Sequence, residues 1–252
     1  MSPTLDIERA ALASGALLVA GIDEVGRGAL AGPVTVGVVV VGMQTYDPPA
    51  GLRDSKLLTP LARERLVPAV QSWALASAIG SATNTEIDRV GIIGALRLAT
   101  HRALAALRKT TIPSVEPGRN HFPSVEERGS ASRNHGVPSV EPRRNHGTSL
   151  FPDLIILDGN HDWLSGPSRI PKVIMQVKGD QHCASIAAAS VLAKQHRDAH
   201  MVNLAPRYPQ YSLNSNKGYG SAEHLAALEQ FGPAKCHRRS WDLPGKDKQK
   251  DN

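Results

Sequence analysis

Short apolar runs that end in glycine, proline or charged residues predict strands at five places in the chain. The first two runs surround a glycine-rich loop, an arrangement that favours a hairpin. The predicted strands span residues 14–23, 33–42, 73–82, 154–157 and 172–177. The first, fourth and fifth of them are each followed within a few residues by at least one acid.

Between these strands, apolar residues recur at the spacing of a helix. Thr59 and Pro60 predict the N-cap and the first position of one helix. Pro68 is expected to kink or end that helix, because proline lacks the backbone N–H of a helix interior. A longer helix is predicted to begin near Asn84, since apolar residues then recur every three or four positions. These positions are Ile87, Val90, Ile93, Leu96, Ala99, Ala103 and Leu107.

Two further helices are predicted near the end of the chain, at about 183–204 and 221–231. The first contains a run of small residues at 185–190, which lets a helix pack close to a sheet. The second begins at Ser221. The charged tail from Gly245 onward is expected to fray.

The segment 111–149 differs in composition from the rest of the chain. Pro-Ser-Val-Glu and Arg-Asn-His each occur three times in it, as an imperfect and polar tandem repeat. Such a repeat is too polar for a core and predicts a disordered insertion. Its histidines do not indicate a metal site, because a flexible repeat does not preorganise ligands. We therefore expect one domain over 15–240, interrupted by this insertion, with flexible termini at 1–14 and 241–252.

Length and charge limit the classes of protein that fit this sequence. The chain has 252 residues, enough for one large domain, and its net charge of +6 is compatible with a nucleic acid partner. Two cysteines, Cys183 and Cys236, are too few for a disulfide framework and are interpreted as reduced thiols. No secretory leader is apparent, and no apolar run reaches the roughly 20 residues of a membrane span. We therefore expect a soluble cytoplasmic protein without a membrane partner.

Four carboxylates follow predicted strands: Asp23, Glu24, Asp158 and Asp180. Each one alone is typical of a turn residue at the end of a strand. In an open α/β sheet, however, ligands collect at the strand ends, so the four side chains are expected to converge. Converging carboxylates repel one another unless cations are present, and hard ions such as Mg²⁺ or Mn²⁺ prefer oxygen ligands. Two such ions support the cleavage of phosphodiesters by activating water and stabilising the leaving oxygen.

Several segments of the chain match the motifs of one known family. They are Gly-Ile-Asp-Glu-Val-Gly-Arg-Gly-Ala-Leu-Ala-Gly-Pro-Val at 21–34, Asp-Ser-Lys at 54–56, Asp-Gly at 158–159, Lys-Gly-Asp at 178–180, Ile-Ala-Ala-Ala-Ser-Val-Leu-Ala-Lys at 186–194 with Arg197-Asp198, and Lys-Gly-Tyr-Gly-Ser at 217–221 with His224. With these segments, which occur in that family's order, the chain resembles ribonuclease HII. The resemblance covers about 15–110 and 150–235, and the repeat at 111–149 departs from it.

The resemblance implies a ribonuclease H-like α/β fold, in which helices flank a mixed five-stranded sheet and a helical segment follows at the C-terminus. It implies a monomeric endonuclease that cleaves RNA paired with DNA and nicks duplex DNA on the 5′ side of a single ribonucleotide. The products would carry 3′-hydroxyl and 5′-phosphate ends. By the same resemblance, the four metal-binding and catalytic acids are Asp23, Glu24, Asp158 and Asp180, and the cofactor is Mg²⁺ or Mn²⁺.

Recognition of RNA requires groups that approach the 2′-hydroxyl closely. The tripeptide Gly26-Arg27-Gly28 suits that task, because glycine removes steric bulk and arginine binds phosphate in a fork geometry. Tyr219 resembles the family tyrosine that stacks on the sugar after the ribonucleotide, although a buried structural tyrosine is the alternative. Three basic residues are candidate phosphate contacts, and a solvated surface position is the alternative for each: Lys56, Lys194 and Arg197. His224 is predicted to be structural.

Two other classes of protein fit part of the sequence. Gly159-Asn160-His161-Asp162 resembles one box of the metallophosphoesterases, but the two boxes that should precede it are missing. A noncatalytic nucleic-acid-binding protein would also account for the basic charge. The four intact acids argue against that second class.

Overall fold

The protein is described by a computed structural model that covers residues 2–109, 150–166 and 170–247. The repeat at 111–149 lies outside these described residues, so the predicted disorder of this insertion stays a prediction. The order of helices and strands on either side of it defines the fold.

A mixed five-stranded sheet forms the centre of the molecule, as the family resemblance implies. Its strands are β1 (Leu18–Val25), β2 (Val34–Gly42), β3 (Ala76–Ala82), β4 (Leu154–Asp158) and β5 (Lys172–Gln176). They lie in the order β3-β2-β1-β4-β5. Strands β1, β2 and β3 are antiparallel, which confirms the predicted hairpin, whereas β4 and β5 run parallel to β1. The C-terminal ends of β1, β4 and β5 therefore lie at the same edge.

Helices cover both faces of this sheet. They are α1 (Asp6–Ala13), α2 (Pro60–Trp73), α3 (Asn84–Arg108), α4 (Gly179–His182), α5 (Ala184–Leu204), α6 (Leu213–Asn216) and α7 (Ala222–Phe231). Helix α3 packs on one face, and α1, α2 and α5 pack on the other. A third, smaller core joins the C-terminal part of α5 to α6 and α7.

Helix α2 does not end at Pro68, one of the two outcomes predicted there, but continues as far as Trp73. Pro68 is exposed, whereas Leu66 and Val70 on the opposite side of the helix are buried against the core. Burial of this apolar face outweighs the loss of one helical hydrogen bond. Strand β3 therefore begins at Ala76 and is shorter than predicted.

Buried side chains lie close to both ends of the described chain. Helix α1 buries Glu8 and Leu12, and Leu5, just before the helix, is buried as well. The Glu8 carboxylate accepts a hydrogen bond of 2.7 Å from the backbone N–H of Ser185, at the start of α5. Leu243 is buried near the other end, and the flexibility of 1–14 and 241–252 stays a prediction.

Helix α3 begins with a capping box that the apolar pattern alone did not reveal. The Thr83 hydroxyl accepts from the N–H of Glu86, and the Glu86 carboxylate accepts from the N–H of Thr83. Among the described residues, α3 is the one helix long and apolar enough to cross a membrane. Eight of its side chains are buried, and they include Leu96, Ala99 and Leu107 of the core against the sheet. Its apolar character is therefore that of a core helix.

Helix α5 lies close against the sheet at Gly37 of β2. A Cβ atom at residue 37 would lie 2.3 Å from the carbonyl oxygen of Ala189, a backbone atom that moves only with the helix. We expect Gly37→Ala to lower the free energy of unfolding by about 1–3 kcal/mol, the usual cost of overpacking. Denaturant titration of both proteins measures this difference, and an unchanged midpoint would show that α5 shifts without cost.

Candidate active site

Three strand ends bring four acidic side chains to one edge of the sheet. Asp23 lies near the end of β1, Glu24 follows it, and Asp158 is the last residue of β4. Because Ile22 pairs with Leu157 in the parallel ladder, Asp23 and Asp158 come next to each other in register. Asp180 lies in α4, which begins three residues after the end of β5. The structure therefore brings all four acids to one edge of the sheet, and their role as metal ligands stays a prediction.

Asp23 is the most strongly perturbed of these acids. Its side chain is buried, and one carboxylate oxygen accepts from the backbone N–H of Glu24 at 2.8 Å. The pKa of Asp23 is raised to about 8, mainly because the side chain is buried; the negative charges of Glu24 and Asp158 add to this shift, and the hydrogen bond from Ser190 opposes it. An ionised Asp23 is therefore costly in the protein without a bound cation.

The pKa values of two neighbouring acids are raised as well. Burial raises the pKa of Glu24, and Asp158 adds to the effect while Arg27 opposes it. Burial likewise raises the pKa of Asp180, with Asp54 and Asp158 contributing and Lys56 opposing. One oxygen of Asp158 accepts from the N–H of Gly179 at 2.7 Å, which ties β4 to the start of α4.

Two basic side chains lie beside the acids. The ammonium of Lys56 lies 3.5 Å from a carboxylate oxygen of Asp180, and the guanidinium of Arg27 lies 3.5 Å from one of Glu24. Partial burial lowers the pKa of Lys56, but Asp180, Asp54 and Asp23 together raise it above its ordinary value. Within the described ranges, no three acidic, histidine or cysteine side chains stand close enough to form a ready-made metal group. The donor set, four oxygen-bearing acids that repel one another, nevertheless fits hard divalent cations.

A cleft of about 400 Å³ opens beside Asp23 and Glu24. It brings together most of the residues predicted to contact substrate, including the glycine loop, Lys56, Lys194 and Tyr219. The lining residues are Asp23, Glu24, Val25, Gly26, Arg27, Gly28, Ser55, Lys56, Ser190, Lys194 and Tyr219. Ser55 and Ser190 were not predicted as site residues, and their hydroxyls lie 2.8 Å apart in the wall of the cleft. Both occur inside matched segments, but nothing in the sequence shows that they meet.

The glycine loop and Tyr219 contact each other directly. The backbone N–H of Gly26 donates to the Tyr219 hydroxyl at 3.0 Å. Gly26 has φ of +85°, and a Cβ atom there would lie 2.1 Å from Nε of Arg197. Its backbone conformation and the space around it therefore both require glycine. A Cβ atom at Gly28 would meet nothing within 4 Å, so the fold itself leaves that position open.

Arg197 does not occupy the position predicted for a phosphate contact. Its side chain is fully buried, and its guanidinium donates to three carbonyl oxygens, those of Pro33 at 2.8 Å, Lys217 at 2.9 Å and Ala31 at 3.1 Å. It also lies 5.3 Å from the centre of the Tyr219 ring. Because every donor direction is turned inward, Arg197 supports the cleft from behind instead of binding phosphate.

Lys194 lies in the wall of the cleft but is already paired. Its ammonium donates to both carboxylate oxygens of Asp198, at 2.6 and 2.7 Å. Burial lowers the pKa of Lys194, and the carboxylate of Asp198 opposes that change. Lys56 is different, since its side chain is 75% exposed and its contact with Asp180 is longer, at 3.5 Å.

The structure explains the segment that resembles a metallophosphoesterase box, Gly159-Asn160-His161-Asp162, as part of a turn. One carboxylate oxygen of Asp162 accepts from the backbone N–H groups of Leu164 and Ser165, at 3.0 and 2.8 Å. These bonds also keep the pKa of Asp162 low despite some burial. Asp162 is therefore a turn residue, and the metallophosphoesterase interpretation is not supported.

The fold and the site together define a nuclease of the ribonuclease H type. The sequence model of the family described as Ribonuclease HII matches residues 20–116 and 158–243. The chain belongs to the ribonuclease HII family. It is therefore a ribonuclease H, an endonuclease that acts on RNA–DNA hybrids with divalent metal ions.

Relatives named ribonuclease HII match nearly the whole chain. The one from Streptomyces griseus is 43% identical over 243 residues, which cover 95% of this chain and 84% of the relative. The one from Nitrosococcus oceani is 39% identical over 223 residues, which cover 88% of each chain.

Solved structures agree with the fold at lower sequence identity. The ribonuclease H2 of Pyrococcus horikoshii is 23% identical, with a TM-score of 0.58 over 90% of this chain and 94% of its own. Bst-RNase HIII, solved in complex with Mn²⁺, is 19% identical, with a TM-score of 0.52 over 89% of this chain and 65% of its own. At these identities the likeness supports the fold alone.

Proposed function

We propose that this ribonuclease H also nicks duplex DNA on the 5′ side of a single embedded ribonucleotide, leaving 3′-hydroxyl and 5′-phosphate ends. The contact between Gly26 and Tyr219 carries this proposal. It joins a loop suited to a ribose and a tyrosine suited to the next sugar in one cleft, beside Asp23 and Glu24. An enzyme that senses one ribose and the sugar after it does not require a long stretch of RNA.

The four acids are the proposed ligands of Mg²⁺ or Mn²⁺. Asp23, Glu24, Asp158 and Asp180 supply carboxylate oxygens, which these ions prefer. The bound ions would supply an activated water and charge stabilisation at the leaving oxygen. Their charge would also offset the burial and the smaller mutual repulsion that raise the pKa values of Asp23, Glu24 and Asp180. The basic side chains of Lys56 and Arg27 would then be free to turn from the acids toward phosphate.

The glycine loop is the proposed sensor of the 2′-hydroxyl. Gly28 has open space around its α-carbon, so its lack of a side chain serves the approach of a ligand rather than the packing of the protein. Arg27 has a side chain that is 45% exposed at the mouth of the cleft, where it would bind the phosphate beside the sensed ribose. Tyr219 is 36% exposed and presents its ring for stacking on the following sugar. Its hydroxyl is fixed by Gly26, which limits rotation of the ring.

The setting in which this enzyme works is part of the same proposal. Both cysteines, Cys183 and Cys236, are free and buried, as expected of reduced thiols in the cytoplasm. We propose that the protein acts there as a monomer on RNA–DNA hybrids and ribonucleotide-containing duplexes. Elution from a calibrated sizing column would test the monomer.

Cleavage of a duplex that carries one ribonucleotide tests the proposed activity. We expect a single nick on the 5′ side of the ribonucleotide with Mg²⁺ or Mn²⁺, because the cleft reads one ribose at a time. A DNA polymerase would extend the 3′-hydroxyl, and phosphatase treatment would shift the mobility of the 5′-phosphate fragment. The same duplex made entirely of deoxynucleotides is the matched control and stays intact. Protein that degrades a continuous hybrid but leaves the single-ribonucleotide duplex whole would refute the proposal.

A further inference from the structure

The segment that follows α7 returns to the glycine loop from behind the cleft. The N–H of Gly32 donates to the carbonyl of Cys236 at 2.8 Å, and the N–H of Arg238 donates to the carbonyl of Leu30 at 2.9 Å. Ala31 and His237 form an isolated antiparallel bridge between these two bonds. Two consecutive residues of this segment, His237 and Arg238, are fully buried. Neither belongs to the predicted site.

The guanidinium of Arg238 holds the backbone of the glycine loop. It donates to the carbonyl oxygens of Gly26 at 2.5 Å, Arg27 at 2.8 Å, and Gly32 and Pro33 at 3.3 Å each. Burial lowers the pKa of Arg238 to about 9, and the nearby charge of Arg197 contributes. These bonds turn the carbonyls of residues 26 and 27 inward, which fixes the loop surface that faces the cleft.

His237 reaches Tyr219 through His224, and we assign the ring protons from the hydrogen bonds that the two rings make. The N–H of Ala234 donates to Nδ1 of His237 at 3.0 Å, so the proton of that neutral ring lies on Nε2. This Nε2 lies 3.0 Å from Nε2 of His224, which accepts the bond. The remaining proton of His224 lies on Nδ1, 2.8 Å from the carbonyl oxygen of Tyr219. His224 therefore contacts both His237 and the backbone of the cleft tyrosine, and its structural role stays a prediction.

We propose that His237 and Arg238 are positioning residues that set the two ribose-contacting elements of the cleft relative to each other. Arg238 fixes the glycine loop, and His237 fixes the backbone of Tyr219 through His224. The bond from the Gly26 N–H to the Tyr219 hydroxyl closes this ring of contacts. Because the two residues are adjacent in the chain, movement of one element is transmitted to the other. This inference rests on the proposed role of Gly26–Gly28 and Tyr219 in sensing ribose.

Measuring substrate affinity without cleavage distinguishes a positioning role of these residues from a general effect on the stability of the protein. We would measure the affinity for a duplex with one ribonucleotide and for the same all-deoxy duplex, with EDTA present to prevent cleavage. The ratio of the two affinities reports recognition of the ribose alone. Arg238→Met keeps the length of the side chain but removes its donors, and we expect it to reduce the ratio roughly tenfold. Arg239→Met is the matched control, because Arg239 is an exposed neighbour and the charge change is the same.

A second pair of variants tests the histidine pathway. His237→Leu removes the hydrogen bond to His224, whereas His237→Gln keeps an N–H donor at a similar position. We expect the leucine variant to lose selectivity for the ribonucleotide and the glutamine variant to retain most of it. A reduced ratio in Arg238→Met and His237→Leu, with wild-type ratios in Arg239→Met and His237→Gln, supports the proposal.

Two other results are distinguishable from this one. If the wild-type protein is selective and folded Arg238→Met and His237→Leu keep its ratio, the positioning role is refuted while ribose sensing by the cleft stands. If the wild-type protein binds both duplexes equally, ribose sensing itself is refuted, and the positioning role falls with it. Thermal melting of each variant confirms that the compared proteins are folded.

Discussion

Asp180→Asn is expected to reduce cleavage of an RNA–DNA hybrid by at least about 100-fold. Loss of a residue that only hydrogen-bonds to a metal ligand already lowers metal affinity or activity roughly 10–100-fold, and loss of a ligand is expected to cost at least as much. Asparagine keeps the shape of the side chain but supplies a neutral oxygen, which binds Mg²⁺ or Mn²⁺ less strongly than a carboxylate. Burial already raises the pKa of Asp180, so the ionised side chain is unfavourable to the fold without metal. The variant is therefore expected to melt no lower than the wild type in EDTA.

The comparison requires a control with the same change of charge away from the cleft. Asp242→Asn provides it, because Asp242 is exposed in the segment after the last helix. We expect full activity in that control, measured as initial rates with Mg²⁺ and Mn²⁺ in turn. Wild-type rates in Asp180→Asn would show that Asp180 is not a metal ligand. A lowered melting temperature would instead assign it a structural role.

Much of the sheet and its acidic edge could be predicted from the sequence because the relevant signals are local. The apolar runs before Asp23 and Asp158 have the length of buried strands, and a carboxylate at the end of a strand is visible in the sequence itself. That these two acids lie side by side follows from the parallel pairing of β1 and β4. The sequence between β1 and β4 carries no signal that these two strands pair. The family resemblance was therefore needed to infer the pairing.

The first helix was missed because its burial depends on distant partners. Asp6, Glu8 and Arg9 make the segment resemble a solvated terminus. In the structure Glu8 is fully buried, and one of its oxygens accepts from the backbone at the start of α5, 177 residues away in the chain. An acid is favoured near the N-terminal end of a helix, but only the fold shows that the two meet.

The roles of the basic residues could not be predicted for a related reason. In sequence, Lys56 and Arg197 are equally good candidates for a phosphate contact. In the structure Lys56 projects into the cleft, while Arg197 is buried with its donors on backbone carbonyls. Arginine suits such a buried position, since its planar fork holds several carbonyl oxygens at once. Arg238 plays a similar part, and both face away from solvent behind the loop they support.

Mild acid is expected to destabilise the protein through the same buried region. Burial lowers the pKa of His237 to about 4, and His224 and Arg239 add to the effect; burial also lowers the pKa of His224. The other groups around the pair, Tyr211 and Cys236, do not supply a negative charge at neutral pH, because burial raises the pKa of each. Among the residues that the structure describes, no carboxylate acts on the pKa of either ring to favour its charged form.

The direction of the pH effect follows from these lowered values. In the unfolded chain histidine takes up a proton near pH 6.5, whereas folded His237 resists it until about pH 4. The stabilising contribution is thus complete above pH 6.5 and is lost as the pH falls toward 4, by about 3 kcal/mol for His237 alone. Urea titrations at several pH values would show this loss, and His237→Gln should show a shallower decline. Parallel pH profiles for the two proteins would mean that His237 carries no such linkage, whereas a difference between pH 6.5 and 4 would show that protonation of His237 is linked to the stability of the fold.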